Sequence, residues 1–256
     1  MKIGFLGLGV MGPPMAKNLV KKSGCEVLGF DVAQNRLDEF AAAGGTPVKE
    51  QTDIYKQCDI IMQILPTHAI IRKSVEDAVR YGKRGNIIID LSSTAPDIIQ
   101  DLYKTVKEAG MYLLDSPISG GKPMAIAGTL AIMTGGDKEV FESVKPLLEC
   151  MGHPVYTGGS GSGSVTKLVN NIIAGAYMVV MAEGYAFAAK AGIDLQTTGV
   201  YAQMISRDLA VLGPLAVTGG CLLLMFCSRR TFYPWIISIF TLVLPILLYL
   251  TNVYPN

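Results

Sequence analysis

The chain has 256 residues, half of them apolar, a formal net charge of +1, two histidines and five cysteines. This is length enough for one large or two modest domains with a buried core, and the near-neutral balance gives no electrostatic case for a nucleic-acid partner. Cys25, Cys58, Cys150, Cys221 and Cys227 are odd in number and form no C-x-x-C pair, which fits a reducing compartment such as the cytoplasm and speaks against a disulfide framework or a zinc site. His68 and His153 read as loop residues, so no metal is expected.

The first thirty residues carry the strongest pattern. Lys2-Ile3-Gly4-Phe5-Leu6 reads as an apolar strand, followed by Gly7-Leu8-Gly9-Val10-Met11-Gly12, a helix-like run to Lys22, and a second strand, Glu26 to Phe30, that ends at Asp31. In such a turn Gly7 allows the tight reversal, Gly9 lets backbone approach a pyrophosphate, and Gly12 lets the next helix pack closely on the strand. The N-terminus of that helix offers unpaired N–H groups and the positive end of its dipole to a phosphate. Asp31 follows Gly12 by nineteen residues, where a carboxylate can accept hydrogen bonds from a ribose 2′-OH. A glycine-rich turn alone is common, but strand, turn, helix, strand and acid in register point to dinucleotide binding. The acid favours NAD over the 2′-phosphorylated cofactor, which would meet like charge, and Arg36 nearby softens that preference. A signal peptide is a poor reading of this apolar start, which has four glycines within nine residues and no small-residue cleavage site.

Helix and strand then alternate. Asn35 to Ala43 reads as a helix ended by Gly44-Gly45, Asp59 to Leu65 as a strand buried on both faces and stopped by Pro66, and Ile70 to Tyr81 as a helix. Asn86 to Leu91 is another buried strand, Ser92 to Pro96 supplies caps and a turn, Asp97 to Ala109 is helical, and Met111 to Leu114 is a strand. This rhythm predicts an α/β, Rossmann-type doubly wound parallel sheet whose ligand lies outside the carboxyl ends of the strands. Gly7, Asp31, Leu65-Pro66, Ser93-Thr94 and Asp115 all fall at such ends and are expected to converge on one crevice.

Asp115-Ser116-Pro117-Ile118-Ser119-Gly120-Gly121 comes next, then Gly128 to Gly136, then a Gly/Ser run from Gly158 that leads into a long helical stretch, Val165 to Ala191. Placed after a strand, Ser-Gly-Gly offers a hydroxyl and adjacent backbone N–H groups to a small anion such as a carboxylate. The Gly/Ser run reads equally as a linker. Lys167 and Asn171, at i and i+4, project from one helix face about 6 Å apart along the axis.

Four stretches in order, Gly4 to Gly12 with Pro14 to Leu19, Asp115 to Gly121, Gly128 to Gly136 and Gly161 to Asn171, resemble the β-hydroxyacid dehydrogenase family. That family includes 3-hydroxyisobutyrate dehydrogenase, tartronate semialdehyde reductase and, more distantly, 6-phosphogluconate dehydrogenase. The resemblance covers residues 1 to about 194. It implies an NAD-binding Rossmann domain over 1–157 and an interdomain helix, with a remnant of a helical second domain, over 158–208. It makes Lys167 the catalytic lysine, with Asn171 helping to hold a small carboxylate substrate and Ser119, Gly120 and Gly121 binding its carboxylate end. The cofactor would be held by Gly7, Leu8, Gly9, Val10, Met11, Gly12 and Asp31, and touched by Leu65, Pro66 and Thr94. The implied reaction interconverts a small β-hydroxyacid and its semialdehyde with NAD, and family members dimerise through the second half. One departure falls near Met124, where the family usually has glycine and this chain reads Lys122-Pro123-Met124-Ala125.

A larger departure follows Asp194. From Ala210 onward the only charged side chains are Arg229 and Arg230, and 231–256 carries none. Tyr233 to Leu250 has the length of a membrane span with aromatic residues at both ends, so 231–250 is a candidate membrane contact within an apolar helical tail over 209–256. A buried helical hairpin, or a tail joined by truncation, fusion or frameshift, has the same composition. The competing functional class is therefore a membrane-tethered dinucleotide-binding module without catalysis.

Overall fold

The computed structural model describes residues 1–196; the apolar tail expected over 209–256, with its candidate span, lies outside them. Contacts divide the chain into two units, Met1–Gly175 and Ala176–Asn256.

The first unit is built on one twisted sheet. Strands β1 (Lys2–Leu6), β2 (Glu26–Phe30), β3 (Thr46–Pro47), β4 (Ile60–Gln63), β5 (Ile87–Asp90) and β6 (Tyr112–Asp115) are all parallel, in the order β3-β2-β1-β4-β5-β6. This is the doubly wound order, with its topological switch between β1 and β4. The crossovers are α1 (Gly12–Lys22), α2 (Gln34–Ala42), α3 (Gln51–Gln57), α4 (His68–Tyr81) and α5 (Pro96–Glu108). Alternate residues of each central strand serve opposite faces. Phe5, Met62, Ile89 and Leu114 pack with Met15, Leu19 and Phe141 on one side, whereas Leu6, Ile61, Ile88 and Leu113 pack with Tyr55, Val75 and Leu102 on the other. Burial on both faces is why these strands read as continuous apolar runs.

Beyond β6 the sheet departs from the all-parallel expectation. Strand β8 (Leu130–Gly135) runs antiparallel to β6 and to the two-residue β7 (Ile118–Ser119), and β9 (Gly152–Gly158) then lies parallel to β8. The return from β6 passes through β7, which pairs with β8 as a hairpin-like antiparallel partner, and the seven-residue helix α6 (Gly121–Ala127), while α7 (Lys138–Glu149) supplies the crossover between the parallel pair β8 and β9. The elements β3, α3, β7, α6, β8, α7 and β9 have no counterpart in the periodicity reading.

Helix α8 (Ser162–Lys190) starts three residues before the expected Val165, so the last three residues of the Gly/Ser run are helix. It begins in the first unit. In the second, the described residues continue it to a C-terminal stop in which Gly192, at φ 78°, and Ile193 donate to the carbonyls of Ala189 and Ala188, the arrangement of a Schellman cap. The helix is apolar all round rather than along one stripe, and Ile172, Val180 and Phe187 are exposed. Among the described residues it is the one helix long and apolar enough to cross a membrane, by length and composition.

Candidate active site

The glycine turn closes on itself. Gly7, at φ 92°, donates its N–H to the Phe30 carbonyl at 3.0 Å, and a Cβ on Gly12 would run into the Gly7 carbonyl oxygen. Helix α1 opens there with Pro13 and Pro14 in its first turn. Proline preorganises a helix start but has no N–H, so the anion-facing donors are those of the turn and Gly12 more than those of the helix proper. Leu8 is buried and Val10 exposed.

Asp31 stands at the tip of β2 and is bonded on both oxygens. Oδ2 accepts the Leu8 N–H at 2.7 Å and Oδ1 accepts the Ala33 N–H at 2.9 Å, while Arg36 Nη1 lies 3.9 Å from Oδ2. The acid therefore fixes the glycine turn. Each oxygen keeps a further lone pair for a sugar hydroxyl.

The next wall is set by a buried polar network that the sequence reading did not find. The Leu65 N–H donates to Ser92 Oγ at 2.9 Å, joining the loops after β4 and β5. Behind them Asp90, fully buried, accepts from the Thr94 hydroxyl, from the Ser92 N–H at 3.2 Å and from Gln63 Nε2 at 3.4 Å; Ser74 in turn donates to Gln63 Oε1 at 2.8 Å. Burial pushes the Asp90 carboxyl above its ordinary range, and the hydrogen bonds from Thr94 and Ser92 oppose that push. Thr94 spends its hydroxyl on Asp90, so Ser92 and Ser93, not Thr94, form the wall.

A cleft of about 490 Å³ brings Met11, Leu65, Pro66, Ser119, Gly120, Gly121 and Lys167 together, with His68, Ser92 and Ser93. His68 is the first residue of α4, capped by Thr67, rather than a loop residue as expected. The cleft lining holds two basic side chains and no carboxylate. Lys167, on the second turn of α8, is half-buried, and that burial alone pushes its ammonium below the ordinary lysine value. Ser119 sits at the end of β7, and Gly120 and Gly121 follow with φ 130° and 67°. Gly120 has no room for a side chain because Met124 packs over it, with Sδ 2.5 Å from where a Cβ would stand.

The two asparagines after Lys167 divide their roles. Asn170 Nδ2 is 3.3 Å from Ser119 Oγ, whereas Asn171 is exposed and its Oδ1 accepts from Asn170 at 3.4 Å. Asn170 escaped the sequence reading, although i and i+3 share a helix face as well as i and i+4 do.

The model of the NAD binding domain of 6-phosphogluconate dehydrogenase matches residues 2–159, and a model of the NAD-binding region of NADP-dependent 3-hydroxyisobutyrate dehydrogenase matches 161–205. The chain belongs to the β-hydroxyacid dehydrogenase family. Within that family it is 35% identical over 208 residues to the mitochondrial 3-hydroxyisobutyrate dehydrogenase of Drosophila melanogaster, covering 80% of this chain and 63% of that one. It is 33% identical over 211 residues to the NAD-dependent L-serine dehydrogenase of Pseudomonas aeruginosa, covering 81% and 70%. The solved 3-hydroxyisobutyrate dehydrogenase of Mycobacterium tuberculosis, with L-serine, superposes with a TM-score of 0.72 at 32% identity, over 75% of this chain and 66% of that one. The chain thus spans just under two thirds of the length of its Drosophila relative.

Proposed function

We propose that this chain binds NAD and interconverts a small β-hydroxyacid and its semialdehyde, with Lys167 carrying the hydroxyl proton. The observation that carries the reading is the cleft itself. It joins the nucleotide side, through Met11, Leu65 and Pro66, to a Ser-Gly-Gly turn and a single half-buried lysine, with no acid lining it.

The glycine turn and Asp31 fit a dinucleotide, since the turn has no room for a side chain at Gly12 and the carboxylate retains free lone pairs toward a ribose. When bound, the nicotinamide supplies hydride chemistry that no side chain here can supply. Asp31 supports NAD over its 2′-phosphate, and Arg36 at 3.9 Å makes that a preference rather than an exclusion. On the substrate side, the Ser119 hydroxyl and the N–H groups of Gly120 and Gly121 hold the carboxylate, and Asn170 orients Ser119. A lysine kept below its ordinary ionisation has a larger neutral fraction, so it accepts the hydroxyl proton during oxidation and returns it during reduction. Its positive charge also stabilises a developing alkoxide.

Relatives named for 3-hydroxyisobutyrate and for L-serine support a short substrate with hydroxyl and carboxylate close together. The all-round apolar α8 supports a homodimer in which a second copy covers it. The test is turnover with NAD against 3-hydroxyisobutyrate, L-serine and longer hydroxyacids, in wild type and Lys167→Met. Turnover of at least one short β-hydroxyacid, reduced about 100-fold or more by the substitution with NADH affinity unchanged, is expected. NADH binding without turnover of any of them would contradict the proposal.

A further inference from the structure

Asp115 ends β6 and is 1% exposed, yet no cation pairs with it among the described residues. Its partners are backbone. Oδ1 accepts the Gly161 N–H at 2.9 Å and Oδ2 accepts the Ser164 N–H at 2.8 Å, both at the start of α8. These are N–H groups that a helix leaves unpaired within itself, and a carboxylate there also faces the positive end of the helix dipole.

The fit around that junction is close. A Cβ on Gly163 would run into the carbonyl oxygens of Met133 and Asp115, and a Cβ on Gly135 would stand 2.6 Å from Asp115 Oδ1. The helix start is therefore seated directly on the ends of β6 and β8. From Asp115 two routes lead into the cleft. Along the backbone, four residues on, lies Ser119; through the side chain, one helical turn beyond Ser164, lies Lys167. The bond between Asn170 and Ser119 closes the loop at 3.3 Å.

We propose that Asp115 is a positioning residue that fixes the axial register of α8 and so holds Lys167 opposite the Ser119 turn. Two bonds from one buried carboxylate, three residues apart on the helix, leave α8 little freedom to slide or turn. Its effect on turnover rests on the reading of Lys167 as the proton carrier; its effect on the placement of Lys167 does not.

The experiment uses the full chain as wild type, Asp115→Asn, Lys167→Met and the double variant, with three readouts: turnover of a short β-hydroxyacid, NADH titration, and trace acylation of Lys167 across pH followed by mass spectrometry. An amide in place of the carboxylate can accept only one of the two bonds and sets its NH₂ against an N–H. Misplacing a catalytic group by about 1 Å is enough for a loss on the order of 100-fold, so Asp115→Asn is expected to lower kcat by roughly 10- to 100-fold while NADH affinity stays within about two-fold. In the double variant no further loss beyond Lys167→Met is expected, because the two act as a unit. Acylation should give Lys167 an ionisation below that of the exposed lysines in wild type, moving up toward theirs in Asp115→Asn.

Unchanged kcat and unchanged Lys167 ionisation in Asp115→Asn would overturn the inference while leaving the proposed function standing. Near wild-type turnover in Lys167→Met would instead remove the proton-carrier reading, and the acylation shift alone would then decide the positioning role. Should Asp115→Asn fail to fold, Asp115→Ser retains one hydroxyl acceptor without setting an NH₂ against an N–H. It is expected to give the same pattern at reduced size, and wild-type values for both kcat and Lys167 ionisation would overturn the inference.

Discussion

The two walls of the cleft are built differently. On the cofactor side, Met11, Leu65, Pro66, Ser92 and Ser93 stand on turns that directly follow parallel strands, so the sheet's own topology delivers them. On the substrate side, Ser119 follows a two-residue antiparallel strand, and Lys167 rides on a helix held by bonds that span 46, 49 and 51 residues of sequence. A wall made by topology tolerates change in its side chains but not in its backbone clearances. One made by long-range polar bonds depends on single side chains.

That contrast can be broken at either wall. The largest effect is expected from Gly12→Ala. Its new Cβ would meet a backbone carbonyl that cannot move aside, and overpacking of roughly 2–3 kcal/mol should weaken NADH binding by about 30- to 150-fold, read by fluorescence titration. If affinity holds within two-fold, the turn is not the rigid cradle described. Asp31→Asn comes next. Removing the charge beside Arg36 should shift the ratio of affinities for NAD and its 2′-phosphate by about ten-fold toward the phosphate, on the order of 1.4 kcal/mol; an unchanged ratio would show that Asp31 serves only its bonds to Leu8 and Ala33. Ser119→Ala sharpens the comparison with the smallest change. Losing one hydroxyl contact of about 1 kcal/mol should raise KM for the acid several-fold with NADH affinity untouched, and a matching loss of NADH affinity would mean the two walls are not separable.

The same contrast explains what could be read from the chain. Apolar runs such as Ile60 to Met62 and Ile87 to Ile89 announce central strands because both their faces are buried, and strand ends then point to the cleft. The ends themselves shift by a residue or two, as at α4, which begins at His68 once Thr67 caps it. The antiparallel direction of β8 is not legible, since it follows from how the chain returns through β7 and not from the apolar pattern of β8 itself. Nor was Asn170. Which of two neighbouring asparagines faces Ser119 depends on how α8 is rotated about its axis, and that rotation is set by Asp115, far back in the sequence. Asp90 and Asp115 do leave a trace, each being the lone acid that closes an apolar run, Ile-Ile-Ile-Asp and Tyr-Leu-Leu-Asp. An acid there is costly to bury unless its bonds are built for it.

The proposed reaction turns on Lys167, in a cleft lined by no acid, moving the proton. The measurement that tests it most directly is the pH dependence of kcat/KM for oxidation of a short β-hydroxyacid in wild type and Lys167→Met. The lysine must be neutral to accept the hydroxyl proton, and burial lowers its ionisation. In wild type, activity should therefore rise with pH along a limb that levels off below about 10.4, the value of a free lysine. In Lys167→Met the residual rate should be lower by about 100-fold or more and should lack that limb. The same limb at near wild-type rate in the variant would show that another group carries the proton.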